Sequence, residues 1–483
     1  MKKRFFENLS IFLALNLLVK PIYVFGIDRV VQNTVGTEIY GSYFPLLNLV
    51  LIFQIFLDLG IENFTRKEIA HNPGLTHRLF SRFIFIKVFL SLAFILVFSI
   101  AGLLLPHSGS DFFILFLLLI NQAMASFILY LRANIGGMQM FKAESFISVL
   151  DRFFMILIAG ALLIIPSTKS AFRIEWFVMA QTLSYFITLV ISIVIFIQKA
   201  GKISLRVNIL SYLPILRQLA PYALLTLLMA FYYRIDSVFL RYMLPDGREQ
   251  AGIYAHGFRI LDFMSNYALI FALILLPTYS RMLREKGNIA PLLRISTLSL
   301  LVPSFAFLIS IVFYRKQVFE VLYFEHTALS SDTFLIFIIS FAGICTSYTY
   351  GALLTANGNL RQLNIMAFTA VLLSIVLNLI LVPKYKVLGA AATNAITQAY
   401  TIAFHILAVK RQFGLKTDKL LVIKLTAFVL FSLLVAYTLS KSGIIWYLGV
   451  LFATLVSLLF SVALKLISFE NALGLFKGKV TEQ

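Results

Sequence analysis

Long apolar stretches separated by short polar breaks run along almost the whole chain. Each holds about 20 mostly apolar residues, the length an α-helix needs to cross the hydrocarbon core of a bilayer. Fourteen such stretches are predicted as membrane helices, from one near residues 8–31 to one near 444–467; the first and seventh also carry charges. The pattern is written twice. Ile27-Asp28-Arg29-Val30, followed by Tyr40-Gly41-Ser42-Tyr43, returns as Ile235-Asp236-Ser237-Val238 followed by Ala251-Gly252-Ile253-Tyr254. Ile165-Pro166 returns as Val382-Pro383, and Gln181 as Gln398, at offsets of 208 to 217 residues. Thr65-Arg66-Lys67-Glu68 and Ala133-Asn134-Ile135-Gly136 have later counterparts in Ser280-Arg281-Met282-Leu283-Arg284-Glu285 and Ala356-Asn357-Gly358.

The organisation expected is an all-α polytopic membrane protein. An N-terminal six-helix lobe spans 1–198, a basic and amphipathic cytoplasmic linker 199–216, and a C-terminal six-helix lobe 217–410. Residues 411–483 add two transmembrane helices and a cytoplasmic tail. An even number of spans returns the chain to the same side, so the two repeats are parallel and the working site is expected between them. The last two helices lie outside the duplication; covering an opening between lobes, binding a partner and holding a lipid tail all remain open for them.

Composition agrees. Apolar residues make up 60% of the chain and mean hydropathy is +0.92, far above a soluble domain. The net charge of +20 points to topology, not to nucleic acid. With the N-terminus inside, predicted cytoplasmic segments hold 26 Lys and Arg and the opposite segments hold 10, as the positive-inside rule requires. Both termini are therefore expected in the cytoplasm. Met1-Lys2-Lys3-Arg4 before an apolar run resembles a secretory signal, but no small-residue cleavage site follows, and the segment reads as a retained span. The single cysteine, Cys345, excludes an internal disulfide and reads as a small core residue. The six histidines lack zinc-site spacing, and neither a P-loop nor a nucleotide fingerprint is present. No metal and no enzymatic activity are expected, since no serine or cysteine has a spaced base.

Ionisable side chains inside spans are costly and carry the functional candidates. Lys20, Arg152, Arg234 and Arg259, with the polar Gln398, are the candidate substrate-cavity residues. Asp28, Asp58, Asp151, Asp236 and Asp262 are candidates for ion coupling or structural pairing, with sodium and proton both open. Helical spacing groups Asn16, Lys20 and Tyr23 on one face, Ala230, Arg234, Ser237 and Arg241 on another, His256, Arg259, Asp262 and Asn266 on a third, and Gln398, Thr401 and His405 on a fourth. Lys20 and Arg234 lie on repeat-equivalent spans and are expected to approach one cavity. Lys87 and Arg29 lie near span ends, where a head reaching the interface is the simpler reading. Asp28-Arg29 and Asp151-Arg152 are neighbours whose side chains are expected to diverge.

Several of these stretches resemble the polysaccharide transporter family of oligosaccharide flippases. They are Asp58-Leu59-Gly60-Ile61-Glu62-Asn63 with Arg66, Ile235-Asp236 with Gly252-Ile253-Tyr254, and Asn378-Leu379-Ile380-Leu381-Val382-Pro383-Lys384-Tyr385 running into Leu388-Gly389-Ala390-Ala391-Ala392-Thr393-Asn394. The last is the most specific, and the resemblance covers about residues 10 to 470. The family belongs to the multidrug/oligosaccharidyl-lipid/polysaccharide (MOP) flippase superfamily. The resemblance implies two lobes in a V, as in multidrug and toxin extruders, around a central cationic cavity. It also implies movement of undecaprenyl-pyrophosphate-linked oligosaccharide across a bacterial inner membrane by alternating access, for lipopolysaccharide, capsule or exopolysaccharide synthesis. Membrane lipids, a polysaccharide polymerase and glycosyltransferases of the same pathway are the implied partners. The near balance of acids and bases among the candidates departs from the arginine-rich lipid II flippases. It leaves two alternatives open: a cation-coupled drug antiporter of the same fold, and a non-transport protein of envelope assembly.

Overall fold

A computed structural model of the chain describes residues 14–16, 18–72, 74, 76–104, 109–200, 213–415 and 418–467. Most of the predicted linker, and the predicted tail beyond 467, lie outside these residues. The regular secondary structure of the described residues is all helical, with no strand. In hydrocarbon every backbone N–H and C=O must be paired within the segment, and a helix does this alone.

The chain divides into two compact units, Met1–Gly252 and Ile253–Gln483. In the first, helical residues 14–16 and 18–21 lead into a π-helical segment, Ile22–Asp28, that continues into α1 (Arg29–Val35). Then come α2 (Thr37–Phe53), a 3₁₀ turn Gln54–Leu57, α3 (Ile61–His71), α4 (Thr76–Leu103), α5 (Gly109–Gly137) and α6 (Phe141–Ile164). The short α7 (Pro166–Lys169) leads to α8 (Ile174–Ala200). Two further helices follow the undescribed stretch, α9 (Leu213–Arg234) and α10 (Asp236–Met243), bent by 49° at Ile235. Both pack on α2, so they belong to the first unit although they begin the second copy of the sequence pattern.

The next helix, α11 (Gly247–Arg284), runs from the end of the first unit into the second. The second unit continues with α12 (Ala290–Val312), α13 (Arg315–Leu322), α14 (Thr327–Thr346), a π-helical turn Ser347–Gly351 and α15 (Ala352–Ala356). The 54-residue α16 (Leu360–Phe413) is interrupted at Lys386, whose φ is 49°, and so holds the two spans predicted near 361–383 and 388–409. The chain closes with α17 (Lys419–Lys441) and α18 (Trp446–Ala463). Ten of the described helices are long and apolar enough to cross a membrane, or eleven if the bent α9–α10 pair is one span.

The residues sort by solvent in the way lipid demands. Large apolar side chains face outward: on α4, Phe89, Leu92, Leu96 and Val97 are all more than half exposed. Small and hydroxylic residues face inward instead. On α8, Ser184, Thr188 and Ser192 are buried at every fourth position, and each hydroxyl donates to the carbonyl one turn earlier. That arrangement satisfies the hydroxyls and lets neighbouring helices approach closely. An aromatic cluster seals the first unit where α4, α5 and α8 meet, with Phe80 stacked on Tyr130 at 5.8 Å and tilted against Phe196 at 4.4 Å. In the second unit α14 packs on α16. The two added helices pack on α12, where Phe428 and Leu466 join Leu298, Val302 and Ala306, while Leu430, Leu434 and Leu459 of the same pair point outward.

Candidate functional site: polar groups among the membrane helices

Several polar contacts of the first unit converge on α2. Asn48, fully buried on that helix, donates to Ser237 Oγ at 2.9 Å and accepts from Arg234 Nη1 at 3.0 Å. Six residues earlier on α2, the Ser42 carbonyl accepts from Arg241 Nη1 at 2.5 Å. The predicted face carrying Arg234, Ser237 and Arg241 therefore exists despite the bend at Ile235, and three of its four members are turned onto α2. Arg234 is half-buried, and its guanidinium also lies 5.3 Å from the Tyr233 ring. Asp236, at the start of α10, is fully buried.

The first predicted face meets α6. Asn16 donates to Ser148 Oγ at 3.2 Å, and the Tyr23 ring lies 4.7 Å from the Arg152 guanidinium. Lys20, between them, is half-buried. Arg152 Nε stands 3.7 Å from Asp151 Oδ2, so these two neighbours do not diverge as expected: the long arginine stem folds back to the adjacent carboxylate. Asp28 is buried and accepts from Tyr40 Oη at 3.0 Å and Gln32 Nε2 at 3.1 Å, a structural tie across Gly36.

A denser charge cluster sits at the end of α2. Asp58 accepts from the backbone N–H of Gly60 at 3.0 Å and of Glu62 at 3.1 Å, anchoring the opening turn of α3. Lys87 of α4 reaches the same place: its Nζ donates to Asp58 Oδ1 at 3.2 Å and to Ser126 Oγ at 2.6 Å, and lies 3.6 Å from Glu62 Oε1. Lys87 is 0% exposed. Its head does not run to the interface, as its place near a span end suggested, because two carboxylates offer a better partner than the headgroup layer. Glu62 lies on α3, beyond the span that ends at Leu57. Burial first, and then the neighbouring Asp58, push its carboxyl up to about 7, while Lys87 and Arg132 pull it back.

A second cluster lies at the other end of α2. Asp111, in the first turn of α5 and 2% exposed, accepts from Arg241 Nη2 at 2.8 Å and Arg248 Nη2 at 3.1 Å. Arg241 is buried with it, whereas the Arg248 side chain is 46% exposed. Beside them opens a cavity of about 420 Å³ lined by Glu38, Tyr242, Asp246 and Glu249 as well as the two arginines.

In the second unit Arg259 and Asp262 are half-buried on α11, where the Asp262 carbonyl accepts from Asn266 at 2.8 Å. Gln398 is buried on α16 and stands over Gly343 of α14, with its amide oxygen accepting from Thr401 at 3.3 Å. Its repeat counterpart Gln181 is likewise buried, donating to Tyr43 Oη at 2.9 Å. Cys345 is buried in α14, as its sequence context suggested. Among the described residues no group of three or more His, Cys, Asp or Glu has the geometry to hold a metal ion.

Sequence reasoning passed over Glu62, Asp111, Asn48 and Arg248. The i,i+4 spacing of Asp58 and Glu62 was an available signal for the first. Asp111 and Arg248 stand at the edges of predicted spans, and Asn48 is a neutral amide in an apolar run; only the fold brings these together.

Residues 6–283 match the family of polysaccharide biosynthesis proteins. Among curated proteins none is similar enough in sequence to count as a relative. Solved structures are similar in fold. A lipid II flippase MurJ in an inward closed conformation is 15% identical with a TM-score of 0.67, over 94% of this chain and 99% of that one. An outward-facing multidrug resistance MATE family transporter of the MOP superfamily is 15% identical with a TM-score of 0.63, over 86% and 97%. A MOP superfamily transporter from Pyrococcus furiosus, described as having a binding pocket of reverse polarity, is 14% identical with a TM-score of 0.59, over 85% and 95%. With more than half of its length matched, this multi-pass helical chain belongs to the polysaccharide biosynthesis protein family, and its fold is like that of these solved structures.

Proposed function

We propose that the protein is a flippase for undecaprenyl-pyrophosphate-linked oligosaccharide in a bacterial inner membrane, working by alternating access with both termini in the cytoplasm. The observation that carries this reading is the family match over residues 6–283 in a chain built of membrane-spanning helices. The half-buried cations Lys20, Arg152, Arg234 and Arg259 support it, because a cation in a partly desolvated place holds a pyrophosphate far better than one in bulk water. Polar side chains along the path would supply the hydrogen bonding that a glycan needs, while the polyprenyl tail stays in lipid. Glycosyltransferases would supply the substrate and a polymerase would consume the product.

Arg234 is the residue to test. Arg234→Ala should impair glycan export with the protein still inserted and abundant. Arg234→Lys should keep part of it, since the charge survives although the planar fork is lost. Lys441→Ala, exposed at the end of α17, should be nearly silent. Surface glycan is measured with a labelled lectin or antibody and normalised to protein level. Normal export by both Arg234→Ala and Arg234→Glu would remove Arg234 from the substrate path and take the cationic mechanism with it.

A further inference from the structure

Where Asp111 meets Arg241 and Arg248, α5 is tied to α10 and α11, and Arg241 in turn ties α10 to the Ser42 carbonyl of α2, all through contacts that water can replace. At that point α2 and the first turns of α11 also come as close as backbones allow. A methyl group on Gly41 would collide with the Arg248 carbonyl, and one on Gly252 would collide with the Thr37 carbonyl. Gly41 and Gly252 are matched positions of the duplicated pattern, Tyr40-Gly41-Ser42-Tyr43 and Ala251-Gly252-Ile253-Tyr254. Two matched positions can touch only near the axis that relates the two copies, as in a two-fold interface. A rocking motion of one copy against the other opens or closes a seam placed there.

We infer that the seam of α2 with α10 and the start of α11 is the outer gate of the transporter, and that Asp111 is its latch. The gate rests on the reading of the chain as an alternating-access transporter. Its chemistry suits parting. Helices that meet through glycines interdigitate no large side chains, so little apolar area is exposed when they separate. Arg241 and Arg248 grip a single carboxylate at the edge of an open cavity of about 420 Å³, and Arg248 is already half in solvent. Water entering from that cavity takes over the hydrogen bonds of both guanidiniums as the latch opens. Deeper along the same seam, Asn48 with Ser237 and Arg234 forms a second tier of polar contacts that water can likewise take over. In the topology expected from the distribution of basic residues, this end of α2, with the first turn of α5, lies on the face opposite the termini.

The test is a cysteine reporter at Ser42, which is 7% exposed and lies inside the seam, in a Cys345→Ala background. Intact spheroplasts are treated with a membrane-impermeant maleimide, and inverted vesicles with the same reagent. Ser42→Cys should label slowly and from the outer face. Asp111→Asn keeps the shape of the side chain and removes its charge, so the closed seam loses a charge-assisted pair. Labelling should then rise about tenfold. Gly252→Ala should raise it as well by wedging the backbones apart, and Arg241→Lys should fall between parent and Asp111→Asn. Ser170→Cys, exposed in the turn after α7, should label at one rate in all of them. An unchanged Ser42→Cys rate in both Asp111→Asn and Gly252→Ala overturns the gate, as does labelling from the inner face alone. Faster labelling with normal glycan export keeps the gate and counts against the proposed cargo.

Discussion

Replacing Lys87 with methionine measures what the charge cluster at the end of α2 contributes to the first unit. The ammonium is fully buried, 2.6 Å from Ser126 Oγ, 3.2 Å from Asp58 and 3.6 Å from Glu62. Methionine keeps the stem and fills the space, so the loss is electrostatic and leaves no cavity. Ser126 can still donate to the Leu57 carbonyl at 3.2 Å. Two carboxylates then face each other without their ammonium, and stripping one partner from a buried pair costs roughly 3–5 kcal/mol. The pH dependence separates this from a packing defect. In the parent protein the Glu62 carboxyl is raised from 4.5 to about 7. The folded protein thus holds more protons than the unfolded chain between these values. The contribution of Glu62 to stability is complete below pH 4.5 and is lost as pH rises through about 7, a loss on the order of 3 kcal/mol. Without Lys87 the carboxyl rises further, so the deficit of Lys87→Met should be largest near pH 8. At pH 5.5 Glu62 takes a proton, its charge no longer faces the place the ammonium left, and the deficit should shrink by about half. The assay is the melting of detergent-purified protein, followed by size-exclusion chromatography after heating at each pH. A variant as stable as the parent at pH 8, or equally weakened at both pH values, would refute the reasoning.

Two further substitutions probe the second unit. Gly389→Ala should cost about 1–3 kcal/mol and lower the yield of folded protein, because the added methyl would run into the Leu381 carbonyl across the turn at Lys386; melting in detergent reads it. Asp418→Ala should cost about 1 kcal/mol, since its carboxylate accepts from the Leu421 N–H at 3.1 Å and caps α17, whereas Asp418→Asn should cost much less. The exposed ion pair of Asp418 with Arg294 adds little, so raising the salt concentration should leave the difference between the two variants intact.

That the chain spans a membrane was legible in the sequence, and so was the helical class, because hydrocarbon leaves the backbone one local solution. The span predicted near 80–105 was found as a helix for that reason: nothing about Leu92 or Leu96 depends on what α4 packs against. The small-residue run at Leu388–Asn394, which carried the family resemblance, was also readable before any contact was known. Its physical basis is the close return of the chain at Gly389, with Ala390 and Ala391 buried behind it. Even the face of Arg234, Ser237 and Arg241 was correctly grouped, since helical periodicity is local enough to survive a bend of 49°.

Periodicity says which residues share a face and nothing about what that face meets. Lys87, Asp58 and Glu62 were three charges near span ends until the fold brought α3, α4 and α5 together and closed them into a buried cluster. Asp111 lies 130 residues from Arg241 and 137 from Arg248, and no local preference connects them. The contact of Gly41 with Gly252 was in the sequence only as two similar words; that the two words touch is decided by the packing of whole helices. Local patterning sets the solvent of each residue because one helix can satisfy it alone. The partner of each charge waits for the tertiary structure, because only that fixes which helices are neighbours.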